Sequence, residues 1–267
     1  MRKPLIAGNW KMNMIPEEAG FILDKLMTVK EKEVELLICP SFIALPLASE
    51  KLKNSFIKLG AQNMYPEIKG AFTGEISPNM LKALRCEYVI CGHSERRTLL
   101  GESNDFIRRK VSCALSHNII PILCVGESQK DRTEGMTEEC IRKQIFTALS
   151  DLKRKELSRI VVAYEPIWAI GTGISATATD AEKVAKFIRN ELTCAFGKQV
   201  AEEIRILYGG SVNITNITDF MHCSNIDGAL IGGASLKEDS FKELYHNLKT
   251  GNPIEMEGYE EKLSAAE

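Results

Sequence analysis

The sequence predicts a parallel α/β fold of eight strands, closed as a (β/α)8 barrel or opened as a doubly wound sheet. Three observations predict it. Eight short apolar runs recur along the 267 residues. The runs are continuous rather than alternating, as in parallel strands buried on both faces. Stretches with apolar residues at helical spacing lie between them. A closed barrel leaves no sheet edge, and about 250 residues commonly form one such barrel.

The strands are expected, in order, at Leu5–Ala7, Val34–Cys39, Ile57–Ala61, Tyr88–Cys91, Ile119–Cys124, Ile160–Tyr164, Ile204–Tyr208 and Ala229–Ile231. Four helices stand out between them. Pro16–Lys30 places Ala19, Ile22, Leu23 and Leu26 on one stripe, and Asp105–His117 does the same with Phe106, Ile107, Val111 and Leu115. Thr137–Leu152 carries Ile141, Ile145, Leu149 and Leu152, and Thr179–Phe196 carries Ala181, Val184, Ala185, Ile188 and Leu192. A last helical stretch is expected at Phe241–Lys249, reached through a helical turn at Ala234–Lys237. No Pro/Ser-rich linker divides the chain, so residues 1–250 are expected to form one domain. The charged extension 251–267 is weakly patterned and is expected to be frayed. The segment Asn63–Ser77 is long for a connection, and such loops usually serve function or a partner.

Composition narrows the function. The net charge is −2, with no basic tail or stripe, so neither nucleic acid nor an anionic membrane is an expected partner. An anionic substrate has to be gripped by local groups instead. No apolar run nears the roughly 18 residues that span a bilayer. The apolar stretch near Leu5 is too short for a signal-peptide core, and a cytoplasmic location is expected. The eight cysteines (Cys39, Cys86, Cys91, Cys113, Cys124, Cys140, Cys194 and Cys223) form no CxxC and lack metal-ligand spacing with a histidine. They read as buried, reduced thiols, and no metal is expected.

In parallel βα folds the chemistry gathers where strands end. Asn9, Trp10 and Lys11 follow the first strand, and Gly92, His93, Ser94 and Glu95 follow the fourth. Glu165 and Pro166 follow the sixth, and Gly209-Gly210-Ser211 and Gly232-Gly233 follow the last two. A cation, an amide, a histidine, a carboxylate and Gly-rich turns therefore share one rim. Glu165 ends a very apolar strand, so its carboxylate is withdrawn from water, the setting of a general base. The glycines let successive backbone N–H groups approach an anion, as in the phosphate grip of barrel enzymes. His117, His222 and His246 lie on helical stretches and carry no assigned role.

Three other readings compete. Gly171 to Ala176 fits GxGxxA, the dinucleotide fingerprint, but Glu165–Ile170 intervene where that motif turns directly from strand to helix. A Schiff-base aldolase needs a lysine ending a strand, and no strand here ends in lysine. A phosphate-binding scaffold would keep the glycines without needing Glu165.

Together the motifs resemble one family, the triosephosphate isomerases. The resemblance is carried by AGNWKMN (7–13), AQNMY (61–65), GAFTGEIS (70–77), CGHSERR (91–97), CVGE (124–127), AYEPIWAIGTG (163–173), YGGSV (208–212) and GGASL (232–236), in family order. It implies an eight-stranded parallel (β/α)8 TIM barrel, no cofactor, and interconversion of dihydroxyacetone phosphate and D-glyceraldehyde 3-phosphate in glycolysis and gluconeogenesis. The family is itself a standard worked case of a glutamate base beside an uncharged histidine, so these roles come with the resemblance. Glu165 is then the base, His93 the electrophile, and Lys11 and Asn9 donors to the developing oxyanion. Glu95 resembles the family's carboxylate that stands one layer behind the substrate-contacting groups. Gly171, Ser211, Gly232 and Gly233 are implied to hold the phosphate. Pro166, Ile167, Trp168, Ala169, Ile170, Gly171, Thr172, Gly173, Ile174, Ser175 and Ala176 resemble the mobile lid, latched through Tyr208 and Ala176. Ile174-Ser175 depart from the Lys-Thr or Lys-Val frequent there, and the extension past 250 has no family counterpart. Cys124 matches a packing position under the base. The loop 63–77 resembles the one that makes the family dimeric, with Thr73 reaching the partner's Asn9–Lys11 region.

Overall fold

In the computed structural model the apolar runs become eight parallel strands: β1 (Leu5–Asn9), β2 (Glu35–Cys39), β3 (Lys58–Ala61), β4 (Tyr88–Cys91), β5 (Ile120–Val125), β6 (Val161–Tyr164), β7 (Arg205–Tyr208) and β8 (Gly228–Ile231). The structure describes residues 2–29, 33–170, 176–237, 241, 242 and 245. Each strand pairs with the next, and β8 pairs with β1, from Leu5 opposite Gly228 to Gly8 opposite Ile231. The sheet is therefore closed, which excludes the open doubly wound alternative.

Closure explains the continuous apolar runs. Alternate residues point inward and form one interior cluster: Leu5, Ala7, Leu37, Cys39, Tyr88, Ile90, Ile122, Cys124, Val161, Ala163, Leu207 and Leu230. Their neighbours along the strands, such as Ile6, Ile38, Val89, Leu123, Val162 and Ile206, pack outward under the helices. Both faces are dry, so neither can be polar.

The helices meet their expected stripes with small changes at the ends. Pro16–Leu26 stops four residues short of Lys30, where the Thr28 hydroxyl takes the Lys25 carbonyl at 2.7 Å. Thr137–Leu149 stops short of Leu152, where Ser150 does the same to Thr147 at 3.1 Å. Short polar side chains compete for the last carbonyls and end the helix. Asn104–Ser116 and Ala178–Phe196 are capped by Ser103 and Thr177, whose side chains accept from Phe106 and Asp180 N–H groups. The turn expected at Ala234–Lys237 is a 3-10 turn over Gly233–Leu236. Most of the expected helix at Phe241–Lys249 and all of the 251–267 extension lie outside the described residues.

The cysteines divide. Cys39, Cys86, Cys91 and Cys124 are buried thiols as expected, whereas Cys113, Cys140 and Cys223 are half-buried and Cys194 is exposed. Those four lie on helices or in the connections between elements, where one side of the chain faces water. No helix among the described residues is long and apolar enough to cross a membrane.

Candidate active site

The rim at the strand C-termini is built from short, over-determined segments. β1 runs on through Gly8 to Asn9, so Lys11 lies two residues past the strand end. Lys11 has φ +51°, a left-handed conformation that a long side chain adopts only when its surroundings enforce it. Three hydrogen bonds do so. The Asn9 side-chain oxygen accepts from the Lys11 N–H at 3.1 Å. Gln62, just past β3, donates to the Lys11 carbonyl at 2.8 Å and to the Cys39 carbonyl at 3.0 Å. Lys11 Nζ is thereby aimed across the rim and donates to Glu95 Oε1 at 2.7 Å. Gln62 was quoted in the AQNMY motif without a role; its position at a strand end is the signal that finds it.

His93 lies two residues past β4 and caps the five-residue helix Ser94–Thr98. Its Nδ1 accepts the Glu95 N–H at 3.3 Å. An uncharged ring that accepts at Nδ1 carries its proton on Nε2, the nitrogen that faces the site. Glu165 Oε1 lies 3.2 Å from that Nε2. The carboxylate is almost fully buried, at 1% exposure, and its Oε2 accepts the Ser94 N–H at 2.8 Å. Oε1 has no hydrogen bond of its own. A buried carboxylate oxygen left without a partner is costly, and such atoms concentrate where chemistry is done. The Cys124 thiol packs against this carboxylate, and burial, then the Glu165 charge, push it well above the usual thiol range. It is a packing group, as the sequence implies.

Two glycines let the backbone close on Glu165. A Cβ on Gly126 would stand 1.7 Å from the Glu165 carbonyl oxygen, and one on Gly209 would stand 2.9 Å from Glu165 Cγ. Neither position admits a side chain without moving the carboxylate.

In front of this pair is a cavity of about 310 Å³. Asn9, Lys11, His93, Ser211, Gly232 and Gly233 line it, so six of the predicted residues converge on one space. Ile170 and Leu230 supply apolar walls that the sequence reading had not assigned. Glu165 is absent from this lining: it sits behind His93, held by Ser94. Ser211 lines the cavity, but its hydroxyl donates to the Ala169 carbonyl at 2.7 Å and so holds the start of the lid segment. Gly171 and residues 172–175 lie outside the described residues.

The lid segment begins on a buried acid the sequence reading left without a role. Glu127, two residues past β5, accepts from the Trp168 indole at 2.8 Å and from the Tyr164 hydroxyl at 3.1 Å. Burial raises its pKa, against the hydrogen bonds from Trp168 and Tyr164. At the last residue of the lid segment, the Ala176 N–H faces the Tyr208 hydroxyl, whose phenol is pushed up by burial.

Comparison with known proteins agrees with this geometry. The triosephosphate isomerase family model matches residues 4–248. The chain belongs to the triosephosphate isomerase family. It is 49% identical over 245 residues to the triosephosphate isomerase of Clostridium tetani, covering 91% of this chain and 96% of that one. It is 49% identical over 243 residues to that of Dictyoglomus thermophilum, covering 90% and 98%. It is 50% identical over 246 residues to that of Finegoldia magna, covering 91% and 98%. Family membership accounts for the motifs as one set. Gln62, Glu127 and Gly209 fix the same rim from below.

Proposed function

We propose that this protein interconverts dihydroxyacetone phosphate and D-glyceraldehyde 3-phosphate, with Glu165 moving one proton between adjacent carbons through an enediolate. The observation that carries the reading is the facing pair of Glu165 Oε1 and His93 Nε2, 3.2 Å apart behind the cavity. Family membership supplies the substrate class. A substrate carbonyl in the cavity takes a hydrogen bond from His93 Nε2, and Glu165 leaves Ser94 to reach the adjacent C–H. Exclusion of water from the cavity strengthens the interaction of the fixed charges with the reacting atoms. General-base catalysis of this kind supplies roughly 10²–10⁴ in rate, about 3–5 kcal/mol.

Lys11 serves the oxyanion and the phosphate. Asn9 spends its oxygen on Lys11 N–H, so its NH2 end is the one that can donate to substrate. Gly232, Gly233 and Ser211 offer the backbone that grips phosphate, with Gly171 closing over it from the lid. Glu95 holds Lys11 in its aimed conformation. Closure of residues 166–176 excludes water, which strengthens each interaction and protects the enediolate from expelling phosphate. Lys11→Met is expected to raise KM and lower kcat together, about tenfold or more each, because one cation serves ground state and transition state. Steady-state kinetics with both substrates checks this, and an unchanged KM counts against the phosphate contact.

The protein acts as a homodimer in this reading. Met12, Ile43, Phe72, Leu99 and Leu100 are exposed apolar residues on the loops after β1 to β4, and Met12 is 96% exposed. So much apolar surface on one rim supports an interface there. The loop 63–77 stands among them, pinned by the Tyr65 N–H on the Ile76 carbonyl at 2.8 Å and by Tyr65 against Phe72 at 4.3 Å. Its tip residue Thr73 reaches the partner's Lys11 region. Thr73→Arg should yield a monomer with activity reduced at least tenfold. A fully active monomer in analytical ultracentrifugation contradicts this.

The plainest test of the function is a coupled assay of the purified protein with either triose phosphate. Isomerisation in both directions is expected, and its absence rejects the enzyme reading.

A further inference from the structure

We propose that Gln144 is a positioning residue, whose carboxamide clamps the backbone of Gly126 and thereby fixes Glu165. The proposal rests on the isomerase reading above and adds a residue to that same site. Gln144 lies on the helix Thr137–Leu149 and is buried there among the apolar Ile141, Ile145 and Ala148. A buried carboxamide needs partners for both of its ends. Its Oε1 accepts the Gly126 N–H at 2.8 Å, and its Nε2 donates to the Gly126 carbonyl at 2.9 Å. Nε2 also meets the Cys140 sulfur at 3.4 Å. A flipped amide would set N–H against N–H and oxygen against oxygen, so only one orientation satisfies the pair.

The sheet explains why Gly126 needs such a partner. β5 ends at Val125. Its last pairs are Leu123 with Cys91 of β4 and Val125 with Tyr164 of β6. Gly126 lies one residue past both ladders, and one side chain takes the place of a neighbouring strand. Gly126 is also where the backbone of Glu165 rests. The Glu165 N–H donates to the Val125 carbonyl at 2.7 Å. The Glu165 carbonyl oxygen lies so near Gly126 that a Cβ there would stand 1.7 Å from it. Towards β7, the Gly209 N–H donates to the Tyr164 carbonyl at 2.7 Å.

A helix on the outside of the barrel is thus tied to the turn that carries Glu165, although Gln144 does not line the cavity. Without the clamp, Gly126 keeps two buried backbone groups that have lost their partner, and the turn shifts to satisfy them again. Glu165 shifts with it, because no side chain separates the two backbones. A base displaced by a fraction of an ångström loses rate and not binding, since Glu165 meets the reacting C–H and not the phosphate. A residue that only satisfied buried backbone would change stability alone.

Gln144→Met keeps the length of the side chain and removes both hydrogen bonds. It should lower kcat about tenfold and leave KM within about twofold of wild type. Gln144→Glu still accepts from the Gly126 N–H but cannot donate to the carbonyl. It should fall between, and it carries the test if the methionine variant does not fold. Ile145→Val trims the next buried residue of the same helix, whose side chain cannot hydrogen-bond to Gly126, and should keep the wild-type kcat. The deciding measurement is a double-mutant cycle with Glu165→Asp. Once the carboxylate is already withdrawn, loss of the clamp should cost less than about threefold in kcat, because both changes act through one group. Circular dichroism confirms the fold of each variant. An unchanged kcat in Gln144→Met, the same loss in Ile145→Val, or an undiminished loss in the Glu165→Asp background overturns the proposal and leaves the isomerase reading intact. Absence of isomerisation by the wild-type protein overturns both.

Discussion

Glu165→Asp should lower kcat by roughly 10²-fold while leaving KM within a few-fold of wild type. The substitution keeps the charge and withdraws the carboxylate by about one methylene, roughly 1 Å, from the carbon it must reach. The surroundings do not compensate. Gly126 and Gly209 stand so close to the backbone and the Cγ of this residue that an added Cβ would clash, which leaves the main chain closely packed on that side. Ser94 N–H, the resting partner of Oε2, is fixed at the start of the helix after His93. Binding should change little, because the base touches the reacting C–H and not the phosphate. Steady-state kinetics with circular dichroism as a fold control measures this. Turnover near the wild-type rate removes Glu165 from the role of base.

Asp227→Ala should cost about 3–5 kcal/mol of stability, the largest single loss expected in the barrel. Asp227 sits at the opposite end from the site, just before β8, where the barrel closes. Its Oδ2 accepts from Arg189 at 2.8 Å and from the Ile206 N–H at 2.8 Å, and its Oδ1 accepts from Arg2 at 2.6 Å. Its backbone carbonyl takes the Leu5 N–H at 3.0 Å, so one residue joins β7, β8 and β1. Arg189 is buried, and it also donates to the Ala201 and Ile204 carbonyls. Alanine leaves this guanidinium buried without a counter-charge and the Ile206 N–H without an acceptor. Breaking one side of a buried pair is far more costly than replacing both. Chemical denaturation at fixed protein concentration reads the loss, since the midpoint of a dimer would depend on concentration. Asp227→Asn keeps an acceptor for Ile206 and should lose less. A loss below 1 kcal/mol in the alanine variant contradicts the account of barrel closure. The folded fraction of either variant should retain wild-type kcat, because the pair lies across the barrel from His93 and Glu165.

These two residues mark what was legible in the sequence and what was not. Glu165 could be read because a carboxylate directly after an apolar strand is conspicuous, and because Pro166 punctuates it. Asp227 could not, because its partners are far away in the chain and leave no periodic trace. Arg189 and Lys110 are similar cases. Both sit on helices whose stripes predict the core correctly, yet both are buried charges. Lys110 is satisfied by Asn63 at 2.6 Å and by Glu102. Helical spacing cannot distinguish a solvated polar position from one folded back onto a distant acid.

Strand ends were read short where glycine or a polar residue carried the pairing onward. β1 was expected to stop at Ala7, but Gly8 and Asn9 continue it by pairing with Ile38 and Cys39. The barrel itself was one of two possibilities until β8 was seen to pair with β1. At the site, the convergence of Asn9, Lys11, His93, Ser211, Gly232 and Gly233 on one cavity was legible and their hydrogen bonds were not. Nothing in the YGGSV motif shows that the Ser211 hydroxyl is engaged by the Ala169 carbonyl, or in CGHSERR that the Ser94 N–H holds Glu165. Gln144 belongs to the same class: its partner Gly126 lies 18 residues earlier in the chain, brought beside it only by the fold.

The central claim is that the reaction is a proton transfer carried by Glu165. Isomerisation of D-glyceraldehyde 3-phosphate in deuterium oxide, followed by proton NMR of the dihydroxyacetone phosphate formed, tests it most directly. A proton held on the Glu165 carboxyl can exchange with solvent before it is returned. The account therefore predicts deuterium at the carbon that receives the proton with the wild-type protein, and loss of both turnover and incorporation in Glu165→Gln. Product free of deuterium from the wild-type protein, or incorporation at an undiminished rate in Glu165→Gln, would contradict it.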